Sequence, residues 1–233
     1  MTQQEFDTHA KTYNEVLDDS ISFSGEDSAY FAEYKIRDLH RELAAQGVDG
    51  RAALRLLDFG CGVGASIPYL RQYFAQAELF GVDVSEESLD LARSRHGSLA
   101  TFLKMSEGEL PAEAQALDAA YAMCVFHHID ECLHVELLSK IRSRLKPNGL
   151  LMVYEHNPLN PLTVRVVNNC PFDVNAKLIG ASLMAQRCRR AGFRDVSVKY
   201  RVFFPGFLKI FRFAEGLLTW LPLGGQYYVR CLA

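Results

Sequence analysis

Apolar residues along the chain follow two patterns, short continuous runs and positions spaced three or four apart. The continuous runs predict buried strands at 54–58, 77–84, 100–105, 116–129 and 150–156. The helical spacing predicts helices at about 27–47, 64–75, 85–97 and 130–149. After an irregular stretch at 157–180, the pattern predicts a helix at 181–193 and strands at 194–204 and 226–233. Because strands alternate with helices, we expect a doubly wound α/β fold whose ligands bind beyond the carboxyl ends of the strands.

A glycine-rich turn follows the first predicted strand, in the stretch LLDFGCGVG at 56–64. Glycine is needed where φ is positive or where a ligand approaches the backbone, and a strand–turn–helix unit presents N–H groups at a helix N-terminus. Asp83 ends the second predicted strand, where a doubly wound fold places a carboxylate on ribose hydroxyls. The turn and the acid together predict a site for an adenosine-type cofactor.

The spacing of the glycines indicates which class of cofactor binds. Gly60, Gly62 and Gly64 form G-x-G-x-G rather than the G-x-G-x-x-G typical of dinucleotide sites. Asp58, two residues earlier, would repel a pyrophosphate and would suit an ammonium group.

Four motifs in order resemble those of the class I S-adenosylmethionine-dependent methyltransferases: LLDFGCGVG, LFGVDVSEESLDLAR, LDAAYAMCVFHHI and LKPNGLLMVYEHNP. The resemblance runs from about Phe6 to Ala233. It implies a seven-stranded sheet, mostly parallel with an antiparallel last strand. We expect a single cofactor-binding domain over 1–233, with an N-terminal cofactor cover at about 1–50 and a helical insertion between the last two strands at about 206–223.

The resemblance also implies a set of positions that bind S-adenosylmethionine. Asp58 and the backbone of the glycine turn would hold its aminobutyryl end, Asp83 its ribose and Val84 its adenine. Ser106, with Glu107 beside it, aligns with an acid that binds the adenine amino group in the family. The full set is Tyr13, Asp58, Gly60, Cys61, Gly62, Gly64, Asp83, Val84, Ser106, Glu107 and Cys124.

Candidate catalytic residues lie at the ends of the fourth and fifth predicted strands: His127, Glu155 and His156. A base is needed only if the nucleophile must lose a proton. Because adjacent strand residues face opposite ways, we expect His127 and His128 not to face one ligand together and not to form a metal pair. Glu155 could equally be a buried carboxylate that holds the next loop.

Methyl transfer to a small-molecule acceptor is the activity that the resemblance implies. Two alternatives stay open at this point. The enzyme could cyclise the aminobutyryl arm of its cofactor and release methylthioadenosine, or the chain could bind the cofactor without catalysis.

Composition and charge limit the kinds of binding partner that we expect for this chain. The chain has 233 residues, 49% of them hydrophobic, and a formal net charge of -3, so no basic field favours nucleic acid. Its six cysteines contain no CxxC pair, so we expect neither a zinc site nor a disulfide framework. No signal-type stretch and no apolar run of about 20 residues is found, and we expect a cytoplasmic protein.

One further segment, at 207–221, is apolar nearly all round a helix that is too short to span a bilayer. Burial against the sheet or in a homodimer contact is the interpretation that we favour. Binding to a membrane surface or to a lipid-linked substrate is the alternative.

Overall fold

The computed structural model describes residues 25–106, 108–170 and 176–233, and these form a seven-stranded sheet of order β3-β2-β1-β4-β5-β7-β6. The strands are β1 Arg55–Phe59, β2 Glu78–Asp83, β3 Thr101–Lys104, β4 Leu117–Met123, β5 Leu145–His156, β6 Arg194–Arg201 and β7 Gln226–Leu232. The pairs among β1 to β5 are parallel, and β7 is antiparallel to both β5 and β6. The predicted sheet, with its antiparallel last strand, is confirmed.

Helices cover both faces of the sheet. They are α1 Ser28–Ala45, α2 Ile67–Tyr73, α3 Glu86–His96, α4 His134–Arg144, α5 Pro161–Asn169, α6 Ala181–Arg190 and the single turn α7 Glu215–Leu218. Short 3₁₀ segments lie at Phe126–His128, Glu131–Leu133 and Gly206–Ala214. One core lies between the sheet and α4 and α6, and a second lies between the sheet and α1 and α2. No helix in the described residues is long and apolar enough to cross a membrane.

Two predicted boundaries near the site were wrong. The strand predicted at 116–129 ends at Met123, because Cys124 adopts a φ of +59° that breaks the extended backbone. His127 and His128 therefore lie in a 3₁₀ turn and not on a strand. The helix predicted to reach residue 149 ends at Arg144, and β5 begins at Leu145. Pro147 ends the helical pattern because it has no N–H to donate and disfavours helical backbone at the residue before it.

The stretch predicted to be irregular, 157–180, contains the helix α5. The Asn160 side chain accepts hydrogen bonds from the N–H groups of Leu162 and Thr163, at 3.0 and 3.1 Å. Pro161 occupies the first helical position, where its missing N–H costs nothing. This pair of residues starts the helix beside the strand ends.

The apolar segment between β6 and β7 is not buried against the sheet, so that half of the interpretation was wrong, whereas burial in a homodimer contact stays a prediction. Its large side chains are exposed, with Phe213 at 85% and Trp220 at 72%. Polar contacts attach it to the fold instead: the Tyr34 hydroxyl donates to Glu215 at 2.8 Å, and Arg212 pairs with Glu26 at 2.8 Å. Because its inward face is polar, its apolar side chains point outward.

A buried ion pair holds α1 on the sheet. Asp38, which is 3% exposed, accepts two hydrogen bonds from Arg201 of β6, at 2.8 and 2.9 Å. The Tyr154 hydroxyl of β5 donates to the same carboxylate at 2.7 Å. Three elements that are distant in sequence therefore meet at one carboxylate.

We predict that Asp38→Ala lowers the free energy of unfolding by about 3–5 kcal/mol, because it leaves Arg201 buried without its counter-ion. The matched control is Arg41→Ala, which removes an exposed partner 3.5 Å from the same carboxylate and should change stability by about 0.5 kcal/mol at most. Urea unfolding followed by circular dichroism measures both. Equal midpoints for the two variants would contradict the assignment.

Candidate active site

A cleft of about 720 Å³ opens at the carboxyl ends of β1, β2, β4 and β5. This size is typical of small-molecule sites. Its walls come from α1, the glycine turn, the 3₁₀ turn at 126–128, α4, α5 and residues 202, 203, 205, 225 and 226. Parallel strands end at one edge of the sheet, which is why these loops converge there.

The glycine turn has left-handed backbone at each of its three glycines. The φ angles are +75° at Gly60, +50° at Gly62 and +76° at Gly64. A Cβ on Gly60 would lie 2.6 Å from Val125, whereas nothing lies within 4 Å of a Cβ on Gly62. Gly62 therefore borders open space in the cleft, while Gly64 lets Ala92 and His96 of α3 approach closely.

Two predicted carboxylates line this end of the cleft. Asp83 accepts hydrogen bonds from the N–H groups of Gly62 at 2.8 Å and Ser85 at 2.9 Å, and thus ties the turn to β2. Asp58 is buried and accepts a hydrogen bond from the Ser66 hydroxyl. Burial raises the pKa of Asp58 to about 6, although the hydrogen bond from Ser66 lowers it.

The remaining predicted cofactor positions divide into three groups. Cys61, Val84 and Cys124 line the cleft. Gly64 and Ser106 do not line it, and Ser106 forms an isolated antiparallel bridge with Glu109. The last two positions, Tyr13 and Glu107, lie outside the described residues.

A buried histidine–carboxylate pair lies at the next strand ends. His127 Nδ1 donates to Glu155 Oε2 at 2.6 Å, and the second oxygen of Glu155 accepts from the Phe126 N–H at 2.8 Å. Burial raises the pKa of Glu155, but His127 and the hydrogen bonds outweigh it and lower the pKa below its usual value. Glu155 is fully buried behind His127, and His127 is the member that lines the cleft.

Three histidines line the same wall, which corrects the expectation that His127 and His128 cannot face one ligand. The two rings lie 4.1 Å apart between centroids, and the His156 ring lies 5.3 Å from that of His127. In a 3₁₀ turn, neighbouring side chains do not alternate between faces as they do on a strand. Among the described residues, no group of three His, Cys, Asp or Glu side chains could hold a metal ion.

A thiol, an ammonium and an amide meet beside these histidines. Lys35 Nζ lies 3.4 Å from Cys124 Sγ, and Gln226 Nε2 lies 3.8 Å from it. Burial raises the pKa of Cys124, but Lys35 and His156 outweigh burial and lower it to about 7. The Lys35 ammonium also lies 5.8 Å from the centre of the Tyr154 ring, and its charge lowers the pKa of Asp58.

Sequence reasoning missed Lys35 and Gln226. Lys35 lies within an amphipathic helix and Gln226 begins the last strand, and no motif surrounds either residue. Only the packing of α1 and β7 against the end of β4 brings them to Cys124.

Part of the chain is similar in sequence to known methyltransferases. Residues 56–149 match the family described as "Methyltransferase domain". Trans-aconitate 2-methyltransferase of Azoarcus sp. is 28% identical over 168 residues, covering 71% of this chain and 63% of that protein. The chain spans less than two thirds of the length of the curated relatives that it matches.

Solved structures share the fold. A SAM-dependent methyltransferase from Thermotoga maritima aligns with a TM-score of 0.69 at 18% identity, covering 99% of both chains. Phosphoethanolamine N-methyltransferase 2 of Haemonchus contortus, in complex with S-adenosyl-L-methionine, aligns with a TM-score of 0.58 at 16% identity, covering 84% of this chain and 52% of that one. The chain thus has the class I methyltransferase fold, and residues 56–149 match the methyltransferase-domain family.

We predict that the alkylation rate of Cys124 by iodoacetamide is half-maximal near pH 7, because the thiolate is the reactive form. Lys35→Met should raise the pKa of Cys124, move the profile to higher pH and slow the reaction at pH 7. Peptide mass spectrometry across a pH series measures this.

Two controls accompany the measurement. Cys132 is exposed, and its hydrogen bond with Asp130 raises its pKa, so its profile should lie at higher pH and stay unchanged in the variant. Lys140→Met removes a different lysine of the cleft lining and should leave Cys124 unaffected. If Lys35→Met reproduced the wild-type profile, Lys35 would not control this thiol.

Proposed function

We propose that this chain, whose residues 56–149 match the methyltransferase-domain family, transfers the methyl group of S-adenosylmethionine to a small-molecule acceptor. One observation carries the proposal. The left-handed glycine turn, tied to the Asp83 carboxylate, shares one cleft with the buried His127–Glu155 pair. The proposed cofactor site would thus lie beside a group that can accept a proton.

The residues of the cleft fit the chemistry of this cofactor. Asp83 offers carboxylate oxygens for ribose hydroxyls, and Gly62 leaves its backbone open to a ligand. The aminobutyryl end carries an ammonium and a carboxylate, and Asp58 and Lys35, which both line the cleft, carry charges opposite to these two groups. We assign Asp58 to the ammonium and Lys35 to the carboxylate, and Val84 and Cys124 line the walls beside them.

The bound cofactor supplies an electrophilic methyl group on a sulfonium. The protein contributes placement of the acceptor and exclusion of water. His127 would take the acceptor proton at Nε2, because Glu155 holds Nδ1. Glu155 is then a positioning residue, which fixes both the ring of His127 and, through Phe126, the turn that carries it. His156 lies beside this pair on the acceptor side.

The names of relatives indicate acceptors that are small molecules or, in one case, a small acyl group on a carrier protein. Proteins similar to this chain include trans-aconitate 2-methyltransferase, N-demethylindolmycin N-methyltransferase and malonyl-[acyl-carrier protein] O-methyltransferase. They differ in the atom that is methylated, so we leave that atom open and propose the class alone.

We predict that Asp83→Ala weakens the binding of S-adenosylmethionine and S-adenosylhomocysteine by about tenfold to a hundredfold, because charged hydrogen bonds to the ribose are lost. Asp90→Ala, which removes an exposed aspartate on α3, is the control and should bind both ligands like the wild type. Titration calorimetry measures the affinities. Unchanged affinity in Asp83→Ala would remove the central assignment.

The reaction itself is tested by identifying the nucleoside product. We predict that S-adenosylhomocysteine forms only when an acceptor from a metabolite extract is supplied. Methylthioadenosine formed from the cofactor alone, above the spontaneous background, would replace methyl transfer by intramolecular cyclisation. Binding of the cofactor with no consumption in any extract would indicate a non-catalytic protein.

We predict that His127→Asn and Glu155→Gln lower acceptor-dependent turnover by about 10²-fold or more while affinity for S-adenosylhomocysteine is retained. Glu155→Gln keeps an acceptor for the Phe126 N–H but removes the charge that orients His127. His40→Ala, a histidine that contacts Tyr73 and Phe74 away from the cleft, is the control. Wild-type turnover in both cleft variants would place the acceptor elsewhere.

A further inference from the structure

Exposed apolar side chains cover one face of the molecule next to the cleft. Seven of them belong to the segment between β6 and β7, and two belong to α5 and the turn before it. They are Leu159, Leu162, Phe207, Ile210, Phe211, Phe213, Leu217, Trp220 and Leu223. Together with Arg165 and Lys209 we call this surface the apolar-basic face. A cluster of this size on a protein surface is typical of an interaction site.

Hydrogen bonds hold the two parts of the face together. Asn160 Nδ2 donates to the Leu223 carbonyl at 2.8 Å, and the Thr163 hydroxyl donates to the Gly225 carbonyl at 2.9 Å. The start of α5 and the end of the segment are therefore one continuous surface rather than two separate patches.

The charges of the face have one sign. Residues 158–170 and 202–225 contain three basic side chains, of which Arg212 is paired with Glu26, and one acidic side chain, Glu215. Glu215 is buried and turned inward, where it accepts hydrogen bonds from the Tyr34 hydroxyl and the Phe203 N–H. Arg165 and Lys209 are exposed. This positive, apolar surface lies on a chain whose formal net charge is -3.

We propose that the apolar-basic face docks on the surface of an anionic lipid bilayer. Aromatic side chains would enter the headgroup region, and Lys209 and Arg165 would pair with anionic headgroups. Charge favours this occupant over a second copy of the chain, because a symmetric dimer formed through the face would bring like charges together. No spanning helix is involved, since the apolar residues lie on short helical turns.

Docking in this orientation presents the cleft to the bilayer. Leu162 belongs to the face and also lines the cleft, and Phe203 and Pro205, just before the segment, line it as well. If the proposed function holds, the acceptor class is an amphiphile that reaches the cleft from the lipid surface. Because vesicle binding is measured without cofactor or acceptor, it tests bilayer docking independently of the proposed methyl transfer.

The chain carries its own reporter for the test, because Trp220 is its single tryptophan and lies on the face. The full-length protein is mixed with vesicles of equal parts phosphatidylcholine and phosphatidylglycerol, and with vesicles of phosphatidylcholine alone. We expect a blue shift of Trp220 emission and co-flotation with the anionic vesicles, both weakened by high salt. No shift and no co-flotation with anionic vesicles would overturn the proposal.

Substitutions locate the contact. Phe213→Glu should weaken partitioning onto anionic vesicles by about tenfold or more, because an exposed ring that would enter the lipid is replaced by a negative charge. Lys209→Glu should weaken it by about tenfold, since it reverses one charge near the lipid surface. The control is Leu183→Glu, which changes an exposed leucine on α6 outside the face and should partition like the wild type. Equal partitioning of all three variants would place the contact elsewhere and overturn the proposal.

Two other occupants of the face give distinct results. A second copy would produce concentration-dependent dimers in sedimentation that Phe213→Glu dissociates, with no transfer to vesicles. A segment of the same chain covering the face would give Trp220 emission that is already blue-shifted and insensitive to anionic vesicles. Either result would replace the bilayer as the partner.

Discussion

Parallel pairing of β1 with β2 and β4 is the constraint on which the candidate site depends. Its register places Asp58 opposite Gly81 on one side and Tyr121 on the other. The strands therefore end together, and each loop that follows must turn over the same edge of the sheet. The glycine turn, Asp83 and the 126–128 turn meet in one cleft for this reason, although far apart in sequence.

Buried polar groups then fix the positions of the side chains and of the helix that lie at that edge of the sheet. Glu155 orients His127 and the backbone of Phe126, and Asp38 binds α1 to β5 and β6 through Arg201 and Tyr154. A carboxylate removed from water is costly unless its partners are in place, so each one allows few arrangements of the elements around it. Because Asp38 anchors α1, Lys35 on the same helix is held against Cys124.

The same structural elements contribute to both the cleft and the apolar-basic face. The start of α5 and residues Val202, Phe203 and Pro205 line the cleft, and the chain next to them carries exposed Phe, Leu and Trp side chains. The inward carboxylate of Glu215 attaches the segment to α1, because it accepts hydrogen bonds from the Tyr34 hydroxyl and from two backbone N–H groups of the segment's approach. A surface of this kind places any partner that covers it next to the proposed acceptor site.

The sequence by itself determined the sheet, the glycine turn and Asp83, because each is encoded by a local pattern: apolar runs, residues that tolerate positive φ, and an acid at a strand end. It also identified His127, Glu155 and His156 as candidates. Local pattern did not reveal that β4 stops at Met123, that Asn160 starts a helix, or that the 207–221 segment is exposed. The end of β4 depends on the left-handed backbone of Cys124, and the start of α5 depends on the Asn160 cap. The exposure of the segment depends on its polar contacts with α1. The orientation of His127 by Glu155 and the approach of Lys35 to Cys124 join residues 28 and 89 positions apart. Only tertiary packing decided them, because such contacts leave no periodic trace in the chain.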